Sequence, residues 1–63
     1  MVKIIKSNVK VRTLVKKEGF SIGTVGVVVS LYSNGPACEV ELWDNENYPI
    51  DFVTYLFTEL EEI

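Results

Sequence analysis

The stretch Thr24-Val25-Gly26-Val27-Val28-Val29-Ser30-Leu31-Tyr32 decides the fold of this chain. Four valines and a leucine in nine residues favour an extended strand, because branched side chains are stiff at χ1 and pack well on a pleated surface. The apolar residues do not alternate strictly, so the strand is either covered on both faces or bent. Val25, Val29 and Leu31 are expected to be largely buried. Gly26 inside a β-branched run signals a bulge or a close approach of two backbones.

Working outward, turn signals bound this strand on both sides. Upstream, Lys16 to Gly23 reads as a loop with glycines at 19 and 23, and Val9 to Val15 alternates as an earlier strand. Downstream, Ser33-Asn34-Gly35-Pro36 is a turn cluster built on Asn-Gly. Ala37 to Trp43 then alternates, with Val40 and Leu42 on one side and Glu39 and Glu41 on the other. Asp44-Asn45-Glu46-Asn47 is a second polar turn, where Asn45 or Asn47 can supply a left-handed residue. Tyr48 to Val53 is a further strand, and Pro49 near its start suits a sheet edge. Thr54 to Phe57 fits a 3-10 turn and Thr58 to Ile63 a closing strand, although the Leu60/Ile63 spacing also fits a terminal helical turn.

Sixty-three residues make one domain, 1–63. A chain this short buries only about 60% of the surface its unfolded form exposes. Four or five short strands cannot form two useful sheets, whereas one bent sheet closed on itself encloses a core and hides its edges. The expected fold class is therefore all-β, a small SH3-like barrel of four to five short antiparallel strands with a 3-10 turn near the C-terminus.

The pattern Lys10-Val11-Arg12, Gly23-Thr24-Val25-Gly26-Val27-Val28, Tyr32, Val40-Glu41-Leu42-Trp43-Asp44 and Leu60-Glu61-Glu62-Ile63 resembles SH3-like barrels of the KOW and photosystem-accessory kind. It is most similar to a bacterial family of small stand-alone SH3-like domains of unknown function. The likeness spans about residues 9 to 63 and is specific for fold rather than for function. That family usually has a glycine in the turn after the Asp, where this chain has Asn45-Glu46-Asn47. The resemblance implies either an immunity protein or antitoxin encoded beside a toxin, or an accessory module docking on a larger complex; fold analogy does not choose between them.

Charge is distributed unevenly. All six cations lie within the first seventeen residues and all nine carboxylates lie from Glu18 onward, for a net charge of −3. If the first and last strands pair, part of this asymmetry is complementarity within the molecule. The remainder is an acidic surface, which disfavours nucleic acid phosphates and favours a basic partner. A KOW-like reading keeps RNA as an alternative, with Lys3, Lys6, Lys10 and Arg12 as cations and Tyr32, Trp43 and Tyr48 as stacking platforms.

The catalytic inventory is poor. There is no histidine to serve as a general base near neutral pH. Cys38 is the single cysteine, so it forms no internal disulfide, and it reads as a small buried apolar residue. Neither a metal-ligand motif nor a cofactor motif is present. The start of the chain is charged, and no run reaches membrane-spanning length; a cytoplasmic location is the default expectation. Phe20, Phe52 and Phe57 are expected in the core or anchoring loops. What remains is a set of candidate partner-binding residues: Glu39, Glu41, Asp44, Glu46 and Asp51 as carboxylates, with Trp43 and Tyr48 as apolar anchors. The expected function is a non-catalytic protein-binding module for a partner with a basic surface, most concretely an acidic immunity protein or antitoxin that plugs a basic nuclease-type toxin.

Overall fold

In the computed structural model, which describes residues 5–33 and 35–63, the valine-rich run becomes a strand at the centre of one antiparallel sheet. The strands are β1 (Lys10–Thr13), β2 (Val25–Leu31), β3 (Ala37–Trp43), β4 (Pro49–Leu56) and β5 (Leu60–Glu62), with a 3-10 turn at Phe57–Glu59. They lie in the order β4-β3-β2-β1-β5. The fold is all-β. Asn34 of the Asn-Gly turn and Lys3 of the basic lead-in lie outside the described residues.

Chain connectivity requires the sheet to curl. β4 and β5 occupy opposite edges, which in a flat sheet would stand about 19 Å apart, four strand spacings of about 4.8 Å. Only four peptide steps join Leu56 to Leu60, and they reach about 14 Å when fully extended. A 3-10 turn is shorter still. The sheet therefore rolls until its edges approach. Its ladder does not close, however: β4 and β5 are not hydrogen-bonded neighbours. Closure through the chain rather than the ladder leaves edges that the sequence-based expectation had removed.

Inside the roll sit Ile5, Val11, Val28, Cys38, Val40, Leu42, Val53, Tyr55 and Leu60, with Val9, Val15, Phe20 and Phe57 packed against them. β3 shows the expected alternation, with Cys38, Val40 and Leu42 buried and Glu39 and Glu41 on the other face. Burial raises the Cys38 thiol pKa, as expected of a packed sulfur rather than a nucleophile.

The expected burial of β2 needs correction. Val25 is half-buried, while Val29 and Leu31 are exposed by 40% and 45%. Val28 pairs with Val40, but Ser30 pairs with Glu39, so Val29 is the extra residue of a bulge. Alternation breaks there, and Val28 rather than Val29 enters the core. Gly26 is not at the bulge. It marks a close approach, because a Cβ built there would overlap the Glu41 carbonyl oxygen and crowd Val40.

Two further corrections concern the C-terminal third. β4 runs on to Leu56, so the 3-10 turn starts at Phe57 and the closing strand at Leu60. Phe52 is 55% exposed and does not join the core. The β4 residues that share its face, Thr54 and Leu56, are exposed too.

Loop 14–24 is pinned at its base and at its tip. At the base, buried Thr13 donates its hydroxyl to the Ser21 carbonyl and accepts from the Thr24 amide, both at 3.1 Å. At the tip, Glu18 (φ 54°) and Gly19 (φ 85°) are both left-handed between the paired Lys17 and Phe20. Positive φ at both central residues defines a two-residue type I′ turn, which glycine accommodates without strain. The Lys17 side chain is thereby held against β4 and the 3-10 turn.

Candidate functional site: an acidic sheet face

The register between β3 and β4 sorts the candidate residues. Residues opposed across a ladder share a face. Glu41 faces Phe52 and Glu39 faces Thr54, so both glutamates lie on the outer face with exposed Phe52 and Leu56. Tyr32 completes this surface, its hydroxyl 3.1 Å from the Thr54 hydroxyl. Trp43 stands on the same side of β3 and donates its indole N–H to Glu41 Oε1 at 3.1 Å. Glu39, Glu41 and Trp43 are thus brought together.

Asp44, Glu46 and Tyr48 belong to the adjoining turn, where Asp44 is also a builder. Its Oδ1 accepts the Glu46 amide at 2.8 Å and the Tyr48 amide at 3.0 Å. In this side-chain turn Asn47, of the two asparagines Asn45 and Asn47 that could be left-handed, adopts that conformation at φ 66°. Glu46 and Tyr48 project into solvent. Asp51 separates from the set. It pairs with Leu42, which assigns it to the opposite side of β4, at an exposed position where its Oδ1 accepts the Phe52 amide at 2.8 Å.

The ion pairs divide the carboxylates sharply. Arg12 Nε donates to Glu61 Oε1 at 3.0 Å across the β1/β5 pair, and Lys17 Nζ lies 2.8 Å from Glu59 Oε1. The first is the internal complementarity that terminal strand pairing allows, and the second ties loop 14–24 to the 3-10 turn. Among the described residues Glu39, Glu41, Asp44, Glu46 and Asp51 have no ion pair. No group of three or more Asp, Glu or Cys among the described residues converges as a metal site, and no described helix is long and apolar enough to cross a membrane.

Beside the acidic face an open groove runs between loop 14–24 and the β3–β4 turn, lined by Phe20, Ile22, Val25, Trp43, Asn47 and Ile50. Trp43 therefore borders both the groove and the glutamates. Phe52, Leu56, Lys17 and Glu59 are parts of this region that reading the sequence missed. Alternation over Phe52-Val53-Thr54-Tyr55-Leu56 was a usable signal for the first two; no local pattern marks the last two. Compared with family models, with curated proteins and with solved structures, the chain finds no match in any of the three.

Proposed function

We propose that this domain is a non-catalytic protein-binding module that presents the outer face of β3 and β4 to a basic partner surface. One observation carries the reading. Glu39 and Glu41 stand in line on a sheet face, without an ion-pair partner among the described residues, beside exposed Phe52, Leu56 and Tyr32. Carboxylates next to aromatic surface suit Lys and especially Arg, which combine charge-assisted hydrogen bonds with stacking. Such complementarity also speeds encounter. A nuclease-type toxin, whose active-site groove is cationic, is the partner class this surface fits most concretely, with the glutamates standing in for phosphates. An immunity or antitoxin role follows from that fit. Arg12, part of the N-terminal basic stripe, is already paired with Glu61, which weighs against the RNA reading.

Titration of the labelled protein with a polyarginine peptide tests the face. Amide shifts should cluster on residues 39–43 and 52–56, fade as salt rises, and vanish in the Glu39→Gln/Glu41→Gln double variant. Shifts confined to other surfaces, or binding indifferent to both salt and the double substitution, would overturn the proposal. Polyglutamate serves as the control that should not bind.

A further inference from the structure

β4 is an edge strand, and its unpaired side is occupied by side chains that imitate a missing neighbour. The Phe52 amide donates to Asp51 Oδ1 at 2.8 Å, and the Leu56 amide donates to Glu59 Oε1 at 2.8 Å. Between them the Thr54 carbonyl accepts from Lys17 Nζ at 3.1 Å. Residues 52, 54 and 56 alternate, so these groups point away from β3 on one side of the strand. Carboxylates take the place of a neighbouring strand's carbonyls, and an ammonium takes the place of its N–H. Natural edges are commonly blunted with charged side chains, but this arrangement does more than repel. It reproduces an acceptor-donor-acceptor order at alternate residues.

We infer that the β4 edge is a strand-addition site for an extended basic segment of a partner protein, and that Lys17 is an internal placeholder for a partner cation. This rests on the acidic-face reading and specifies how the partner docks. Charge decides the occupant. Asp51 and Glu59 flank the edge, and Glu39 and Glu41 lie one strand away on the outer face. A second copy paired through its own β4 would set Asp51 and Glu59 against the same carboxylates. An extended segment alternating Lys or Arg with apolar residues meets no such repulsion. Its backbone would pair with Phe52, Thr54 and Leu56, its apolar side chains would lie on the outer face over exposed Phe52 and Leu56, and its cations, on the opposite face, would meet Asp51 and Glu59. Lys17 must first leave Thr54, Glu59 and the Tyr55 ring, over which its Nζ sits 5.0 Å from the centroid.

The probe is a short synthetic peptide alternating lysine and valine, compared with the same peptide N-methylated at the amides that would face β4. Lys17→Met keeps the apolar stem over Tyr55 and removes the donors. This variant should bind the plain peptide about tenfold more tightly than the parent chain, the size of one lost charge-assisted latch. A melting curve confirms that it is folded. Thr54→Pro removes an outward amide where an edge strand tolerates proline and should abolish binding, as should N-methylation. Equal affinity in Lys17→Met and the parent, or undiminished binding of the N-methylated peptide, would overturn the inference. If binding survives N-methylation but is lost in Glu39→Gln/Glu41→Gln, the face reading stands and the edge falls. If N-methylation and Thr54→Pro abolish binding that the glutamate variant retains, the edge stands and the face reading falls.

Discussion

The β1/β5 seam and the β3/β4 face are built from similar residues but handle charge in opposite ways. At the seam Arg12 meets Glu61, and at the junction of β4 with the 3-10 turn Lys17 meets Glu59, so both of these cations lie against a carboxylate. On the β3/β4 face the glutamates have aromatic and apolar neighbours and no ion pair among the described residues. The difference follows from where strand order places two ends of a polarised sequence. A basic first strand and an acidic last strand become neighbours, and the acidic middle of the chain is left facing outward. Charge satisfied inside a molecule holds it together; charge left over is available to a partner.

The largest expected effect comes from the junction that joins these two regions. Gly26 lies on β2 where that strand passes from β1 to β3, paired with Val11 on one side and Leu42 on the other. A side chain there would overlap the Glu41 carbonyl, a backbone atom that cannot swing aside. Gly26→Val should therefore cost more than about 3 kcal/mol, a large part of the stability of a domain this small. Urea unfolding reads it; an unchanged midpoint would show that β2 and β3 do not approach this closely.

Further along β2 the bulge predicts an unequal pair. Val28→Ala should cost about 2–3 kcal/mol, because two buried methyl groups go and a cavity remains. Val29→Ala, next to it in sequence but 40% exposed, should cost less than about 1 kcal/mol. Equal losses would mean that the register does not shift between Val28 and Ser30.

A smaller effect, and one that depends on pH, belongs to the ion pair at the junction of β4 with the 3-10 turn. The Glu59 carboxyl is held below its ordinary pKa, first by the hydrogen bond from Lys17 and then by the Leu56 amide, against a partial desolvation. A carboxyl pKa lowered in the folded state contributes stability that is fully present above its unfolded value. That contribution disappears as pH falls through the lowered folded value. Glu59→Gln should thus lose about 1 kcal/mol at neutral pH. The gap from the parent protein should close on acidification. A gap that persists in acid would assign the loss to packing instead.

Much of this architecture is legible in the sequence. Ala37 to Trp43 is a strand at those residues because its alternation is regular and turn signals bound it. Pairing of the first and last strands is what a small barrel commonly shows, and it accounts for part of the charge asymmetry; of Asn45 and Asn47, the two residues whose chemistry suits a left-handed conformation, Asn47 adopts it. The misread parts are those that local pattern does not determine. A continuous valine run carries no parity, so the sequence could not say that Val29 is the residue squeezed out. Phe52 looks like core by type, but its alternation with buried Val53 and Tyr55 turns it outward, opposite Glu41. The hydrogen bond from Lys17 to Thr54, thirty-seven residues apart, exists only because a type I′ turn aims one loop at a distant edge. The grouping of Glu39, Glu41 and Trp43 was local and therefore readable, whereas Asp51 left the group through a register that no sequence rule supplies.

The smallest expected effect bears most directly on the contrast between seam and face. Glu39 and Glu41 are two residues apart on one side of β3, so their side chains leave the strand about 6.6 Å from each other. Two like charges at that separation repel by about 0.6 kcal/mol even with the dielectric of bulk water, and physiological salt screens about half of it. Neither has a cation to lose among the described residues, and Gln at 41 can still accept the Trp43 indole N–H. Glu39→Gln/Glu41→Gln should accordingly leave stability unchanged or raise it by less than about 0.5 kcal/mol, with the gain largest at low salt. Arg12→Ala should go the other way, losing up to about 1 kcal/mol with its partner Glu61. Paired denaturation curves at low and high salt separate the two signs. If the glutamate variant instead lost 1 kcal/mol or more, these carboxylates would be part of the structure's own support, and the face would have no surplus charge to offer.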